Sequence, residues 1–450
     1  MRTYLLCAFA VACVAANDNG LALTPPMGWR SWNCMLQNVS QERILAQVEA
    51  LIERRNGRAS LLELGYSHLG IDDGWQACGT GFNHSFHDAN GRPLVNLTRF
   101  PSIKSMNDLA HEKGVKMGWY GNNCGCNEMQ QFGDIGGHVS QDTHATAELG
   151  FDGLKVDGCG PSQNILQWTE ALNATGRPVL LEDCLTKRYS SRIGGSSEIP
   201  EDQWPYTLEE IFERCPGNFF RLGKDVAPQF YSTVYNLIFT QNLSAPYNAK
   251  GKGSRPGCWT YNDMLEVGNL DTLDESYAHF AAFAVSSSPL ILGFDLTDKE
   301  KYDEVYPIIS SKRALEINQD WAGHPGEPVL DSGSYFDAPT AVGAGARCLQ
   351  THTCKNQSFP TWQVWRKPLS TPKGAWAVVA LNIAEQASTV RFKFSDIDPN
   401  LGSRPVISDV WSGKQVTCQH AGGDDGCELD VKPHAAQFLE LRPSMRNGLL

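Results

Sequence analysis

The chain of 450 residues is too long for one ordinary hydrophobic core, so two domains are expected. Its 41% hydrophobic and 20% charged content excludes a disordered chain. A net charge of −12 argues against nucleic acid or an anionic membrane surface as partner.

The chain opens with Met1-Arg2-Thr3, followed by a mostly apolar stretch from Tyr4 to Ala16 that ends in the small residues Val14-Ala15-Ala16. That pattern reads as a signal peptide over residues 1–16. No later run reaches about 18 uninterrupted apolar residues, so no membrane span is expected. Cleavage would remove Cys7 and Cys13, leaving an even number of cysteines, as disulfides in an oxidising compartment require. Six N-x-S/T sequons, at Asn38, Asn83, Asn96, Asn173, Asn242 and Asn356, also fit export to the medium or to a lysosome-like or vacuolar compartment. No paired CxxC or CxxC-plus-His spacing occurs, so structural zinc is not expected.

From about residue 21 to 322 the sequence alternates strand and helix. Strands are predicted at 27–32, 66–72, 116–120, 153–157, 178–183, 218–222, 258–264 and 289–294. Ser40 is placed to cap a helix carrying Ile44, Val48, Leu51 and Ile52 on one face. Ile103, Met106, Leu109 and Ala110 repeat the pattern before Gly114, a stop signal. Eight such units predict an α/β fold, a (β/α)₈ barrel over residues 17–322. An open doubly wound sheet is the competing layout, but it calls for a glycine-rich phosphate turn after the first strand, and the sequence has none. Beyond Asn318-Gln319-Asp320 the texture changes to Pro-Gly turns and short alternating runs (Trp362 to Trp365, Trp376 to Leu381, Val390 to Phe394). These predict a C-terminal antiparallel β-sandwich over residues 323–450, with Cys348/Cys354 and Cys418/Cys427 spaced to close short loops.

Several of the predicted barrel strands run into carboxylates: Asp72-Asp73, Asp157, Glu182-Asp183 and, a few residues on, Asp225. Carboxylates at the carboxyl ends of barrel strands build an active site, and a pair of them suits glycoside hydrolysis. Asp157 is the candidate nucleophile, with Lys155 on the same strand face two residues earlier. Asp225 is the candidate acid/base, with Arg221 four residues before it. Asp72 and Asp73 are candidate hydroxyl acceptors. Trp32, Trp75, Trp119 and Tyr120 stand at or beside strand ends, where walling a sugar pocket and packing the core are equally open readings. For one Asp taken alone, a helix cap or a surface ion pair is the favoured explanation; it is their recurrence that argues for a site.

Met27-Gly28-Trp29-Arg30-Ser31-Trp32-Asn33, Leu69-Gly70-Ile71-Asp72-Asp73-Gly74-Trp75 and Lys155-Val156-Asp157-Gly158-Cys159 resemble successive blocks of glycoside hydrolase family 27, the α-galactosidase / α-N-acetylgalactosaminidase family. Pro256-Gly257-Cys258-Trp259, Asp263-Met264-Leu265 and Ala314 to Asp320 resemble its later blocks. The resemblance implies a retaining exo-glycosidase acting on terminal α-D-galactosyl residues of an oligosaccharide, glycolipid or glycoprotein, a reaction that needs neither a metal nor a cofactor. By it, Asp157 matches the nucleophile and Asp225 the acid/base. Asp72 and Asp73 match the pair that binds O4 and O6, and Trp32, Tyr120, Lys155, Arg221, Asp263 and Met264 match pocket residues. Glu182 and Asp183 stand at the loop that senses the sugar C2 group, where many members have Cys-Glu-Trp and this chain reads Cys184-Leu185-Thr186. The resemblance also implies bridges Cys34–Cys78, Cys184–Cys215 and Cys159 with Cys124 or Cys126, with Cys258 taking the one left over. α-N-Acetylgalactosaminidase, β-L-arabinopyranosidase and an inactive carbohydrate binder are the alternatives, a homodimer is an open assembly state, and an acidic pH optimum is expected.

Overall fold

The computed structural model describes residues 19–122, 126, 137–158, 164–184, 207–418 and 425–444. The signal-peptide reading and Cys124, Cys159, Leu185 and Thr186 lie outside them.

Eight strands form the first sheet: β1 Met27–Arg30, β2 His68–Gly70, β3 Lys116–Gly121, β4 Gly153–Asp157, β5 Leu180–Cys184, β6 Phe219–Arg221, β7 Trp259–Tyr261 and β8 Leu290–Leu292. They lie in the order β7-β6-β5-β4-β3-β2-β1-β8, every named pair parallel. The ring closes just past β7, where Leu265 N–H donates to Ile291 O at 2.7 Å and Gly293 N–H to Leu265 O at 3.1 Å. This is a (β/α)₈ barrel, as the alternation predicts.

The helices form where the sequence periodicity places them. Ser40 Oγ accepts from Arg43 N–H to cap the helix Gln41–Ile52, which buries Ile44, Val48 and Leu51. In the helix Ile103–Glu112, Ile103, Met106 and Ala110 are buried, but Leu109 is 42% exposed and belongs to the solvent face. At β1, a Cβ on Gly28 would fall 2.2 Å from the His68 carbonyl oxygen, so only glycine lets β1 lie against β2 at this register.

Beyond the barrel lie β9 Glu327–Asp331, β10 Tyr335–Thr340, β11 Lys355–Pro360, β12 Trp362–Pro368, β13 Trp376–Asn382, β14 Ser388–Lys393, β15 Val406–Asp409, β16 Gly426–Val431 and β17 Ala436–Arg442. An antiparallel sheet of order β15-β17-β13-β12-β9 faces the pair β14-β16, and β10-β11 form a separate ribbon. Strand β13 is buried on both faces. Val378 and Ala380 join the core between the sheets, while Ala377, Val379 and Leu381 join the barrel's core. Among the described residues, no helix is long and apolar enough to cross a membrane.

The cysteine pairing departs from the resemblance. Cys78 bonds to Cys126 and Cys215 to Cys258, whereas Cys34 and Cys184 are free thiols. Thus neither Cys34–Cys78 nor Cys184–Cys215 forms, and Cys258 takes Cys215. Topology explains the change at Cys184 and Cys215. Cys215 and Cys258 precede the neighbouring strands β6 and β7, so both lie at the amino-terminal end of the barrel. Cys184 ends β5 at the opposite rim. Cys78 and Cys126 follow the neighbours β2 and β3; Cys34 follows β1, likewise a neighbour of β2, so strand order does not decide between these two partners for Cys78. The short-loop bridges Cys348–Cys354 and Cys418–Cys427 form as their spacing suggests. Alkylation of the unfolded, unreduced protein should therefore label Cys34 and Cys184, and non-reduced peptide mapping should recover the linked pair Cys215–Cys258. A Cys34–Cys78 peptide would contradict this arrangement.

Candidate active site

The carboxyl ends of β1, β2, β4, β6 and β7 surround a cavity of about 340 Å³, counting its open mouth. Trp32, Asn33, Asp72, Lys155, Asp157, Arg221, Asp225, Val226, Asp263 and Met264 line it. Lysine 155 is its central cation. From β4, Lys155 Nζ donates to Asp72 Oδ2 at 2.8 Å and lies 3.6 Å from Asp157 Oδ2. The Tyr120 ring lies 5.4 Å from the same ammonium. Burial alone would lower the Lys155 pKa, but Asp72 and then Asp157 reverse the sign and hold it well above the ordinary value. Asp157 Oδ1 also accepts from the Gly158 N–H at 2.7 Å.

Arg221, from β6, is the second cation. It donates to Asp263 Oδ2 at 2.7 Å and to Asp225 Oδ1. Its charge too is retained against burial by Asp263 and Asp225. Asp225 is the open member of the group, its side chain 42% exposed, whereas the side chains of Asp72, Asp157 and Asp263 are nearly closed to solvent. Asp263 has φ +74°, a left-handed conformation costly for a residue other than glycine. Arg221, the Val226 N–H at 2.7 Å and the Met264 N–H at 2.8 Å hold it there.

Six residues expected around the sugar lie outside this lining. Asp73 is buried with its oxygens accepting from Gln76 Nε2 at 2.8 Å and Gln37 Nε2 at 3.0 Å. Glu182 and Asp183 are separated by the strand pleat. Glu182 pairs in register with Lys155, points inward and forms an ion pair with Arg30. Asp183 pairs with Val156 and faces the other way. Tyr120 is buried with its ring against the Lys155 ammonium, and Trp75 is buried too, its Nε1 donating to the Tyr120 carbonyl at 3.0 Å. Trp75 also packs on Trp119, which stacks on Phe151, so both tryptophans are core residues and of the four aromatics only Trp32 reaches the cavity.

Sequence reasoning missed Asn33, Val226 and the role of Arg30, a buried strand residue that joins Glu182 to Asp72 at 3.9 Å. It also missed Glu266, behind Asn33. Glu266 accepts from Asn33 and, at 2.8 Å, from Asn269 Nδ2, and burial pushes its carboxyl up to about 7 despite those bonds. The available signal was a carboxylate inside the apolar run Met264-Leu265-Glu266-Val267. Among the described residues no cluster of three or more His, Cys, Asp or Glu side chains is arranged to hold a metal.

Residues 24–320 match the family model described as alpha galactosidase A, and residues 360–441 match the alpha galactosidase C-terminal beta sandwich domain. The chain belongs to glycoside hydrolase family 27. The family assignment makes it a glycoside hydrolase of the α-galactosidase type. The alpha-galactosidase of Cyamopsis tetragonoloba is 27% identical over 95% of this chain and 88% of its own length. The alpha-N-acetylgalactosaminidase of Gallus gallus is 30% identical over 95% of each. Alpha-galactosidase I from Mortierella vinacea shares the fold at a TM-score of 0.70, with 24% identity over 94% of this chain and 98% of that one.

Two measurements test these electrostatics. Lys155→Met should leave Asp72 and Asp157 buried beside no lysine and lower the unfolding free energy by roughly 3–5 kcal/mol; denaturant melts within about 1 kcal/mol of the native chain would refute the pairing. Glu266 has its folded pKa raised from 4.5 to about 7, so its contribution is full below pH 4.5 and is lost as pH rises through about 7. The loss is roughly 3 kcal/mol. Glu266→Gln should flatten that part of the stability–pH curve, and an unchanged slope would show that Glu266 does not titrate there.

Proposed function

We propose that the chain hydrolyses terminal α-D-galactosyl residues with retention of configuration. The observation that carries this reading is that two carboxylates of unlike environment share one small cavity. Asp157 is enclosed beside Lys155, and Asp225 stands at the open side. Asp157 attacks the anomeric carbon and forms a glycosyl-enzyme ester. Asp225, as acid, protonates the departing oxygen, then takes the proton from the attacking water. Asp72 accepts from a ring hydroxyl, and Lys155 donates to another while keeping Asp157 paired. Trp32 and Met264 give the sugar its apolar wall. The galactoside preference rests on the family and on relatives named as alpha-galactosidases.

Under the same reading the protein works in an oxidising compartment, secreted or lysosome-like. Disulfides among the described residues support this, as do the exposed sequon asparagines Asn38, Asn83, Asn173, Asn242 and Asn356. An acid that must be protonated to work calls for an acidic optimum.

A panel of nitrophenyl glycosides, with the α-galactoside beside the α-N-acetylgalactosaminide and the β-L-arabinopyranoside, tests the substrate. The α-galactoside should turn over fastest. Asp157→Ala should lower turnover on the order of 10⁴-fold, and added azide should restore it with a β-galactosyl azide as product. Near-native turnover of the dinitrophenyl substrate by Asp157→Ala would remove Asp157 from the nucleophile's role.

A further inference from the structure

The loop between β6 and the helix Phe230–Asn248 carries Asp225, and part of it is held by the second domain. Gly343 N–H, just beyond β10, donates to the Asp225 carbonyl oxygen at 2.8 Å. Four residues after Asp225, the Gln229 side chain makes two bonds to the same segment. Its Nε2 donates to Pro339 O at 2.8 Å, and its Oε1 accepts from Ala341 N–H at 2.7 Å. The loop is thus fastened at Asp225 itself and at its exit into the helix, both times to backbone from the C-terminal side of the chain.

This pattern is unlike ordinary domain packing. Apolar contact fixes two bodies only loosely in register, whereas three directed bonds to main-chain groups fix the position of a loop. Gln229 is the N-cap residue of its helix but makes no side-chain capping bond, so helix capping does not explain it. Within the barrel, Arg221 donates to the Asp225 carboxylate, Asn236 Nδ2 donates to the Lys224 carbonyl at 2.8 Å and the Val226 N–H donates to Asp263 at 2.7 Å. The barrel thus holds the backbone on either side of Asp225, while the Asp225 carbonyl accepts from Gly343. The adjoining C-terminal segment is itself tied by the Cys348–Cys354 bridge.

We infer that residues 339–343 of the C-terminal domain position the general acid, with Gln229 as the positioning residue that couples the two. The inference rests on the reading of Asp225 as acid/base. The C-terminal domain then takes part in leaving-group protonation while touching no substrate.

The test uses the full chain and two α-galactosides: a plain disaccharide, whose leaving alcohol needs a proton, and the 2,4-dinitrophenyl glycoside, whose leaving group does not. Gln229→Ala should lower kcat on the disaccharide roughly ten- to hundredfold with KM little changed, while kcat for glycosylation by the dinitrophenyl substrate falls less than about threefold. Gln229→Glu keeps the acceptor for Ala341 and should recover part of the loss. Gly343→Ala has room for its methyl but is strained at φ +81°, and should shift the same ratio in the same direction. Equal losses on both substrates, or no loss on either, would overturn the inference. Asp225→Ala run in parallel separates the two claims. If Asp225→Ala discriminates between the substrates and Gln229→Ala does not, only the positioning role fails. If Asp225→Ala does not discriminate, the acid assignment fails and the inference goes with it.

Discussion

Three buried cations at the carboxyl rim of the barrel organise everything around them. Arg30, Lys155 and Arg221 come from β1, β4 and β6, and each meets at least one carboxylate from another strand or the loop that follows it: Asp72 and Glu182 for Arg30, Asp72 for Lys155, Asp263 for Arg221. Such charges are tolerable away from water only when each has a partner at hydrogen-bonding distance. The need for mutual neutralisation therefore fixes the strand ends relative to one another. It also leaves the cavity lined with polar groups whose positions are set before any substrate arrives, which is what electrostatic catalysis needs.

The barrel was legible because apolar runs of strand length alternate with capped helical segments, and because period-two geometry places Lys155 beside Asp157. The Arg221–Asp225 spacing likewise suggests a pair, and the structure contains it. What stayed hidden depends on direction at single-residue resolution. Asp72 and Asp73 are neighbours in the chain, yet one turns into the cavity and the other is held by two glutamines. Glu182 and Asp183 part company for the same reason, the strand pleat. Trp75 and Trp119 look like sugar platforms in a string of letters but have their ring faces covered by other rings. The Cys184–Cys215 pairing was misassigned because a bridge depends on which end of a strand a cysteine occupies, and Cys184 and Cys215 lie at opposite ends of the barrel.

The active-site strain is local as well. Asp263 is held in a left-handed backbone by the Arg221 guanidinium and by the backbone amides of Val226 and Met264. A residue held this way adds rigidity where a carboxylate lines the cavity, at a conformational cost of about 1–3 kcal/mol that the surrounding bonds offset.

Strand β13 has a broader consequence. Its alternate side chains belong to different cores: Val378 and Ala380 to the sandwich, Ala377, Val379 and Leu381 to the barrel. Phe438 and Trp365, from the flanking strands, face the barrel with the second set. The nearly all-buried helix Leu273–Val285 belongs to the same core. A cut between the domains would strip water-averse surface from both halves at once, so neither half is a module in the sense of a part that can be moved to another protein. The molecule is divisible by its topology but not by its thermodynamics, and evolution or engineering would have to keep or exchange the two domains as one piece.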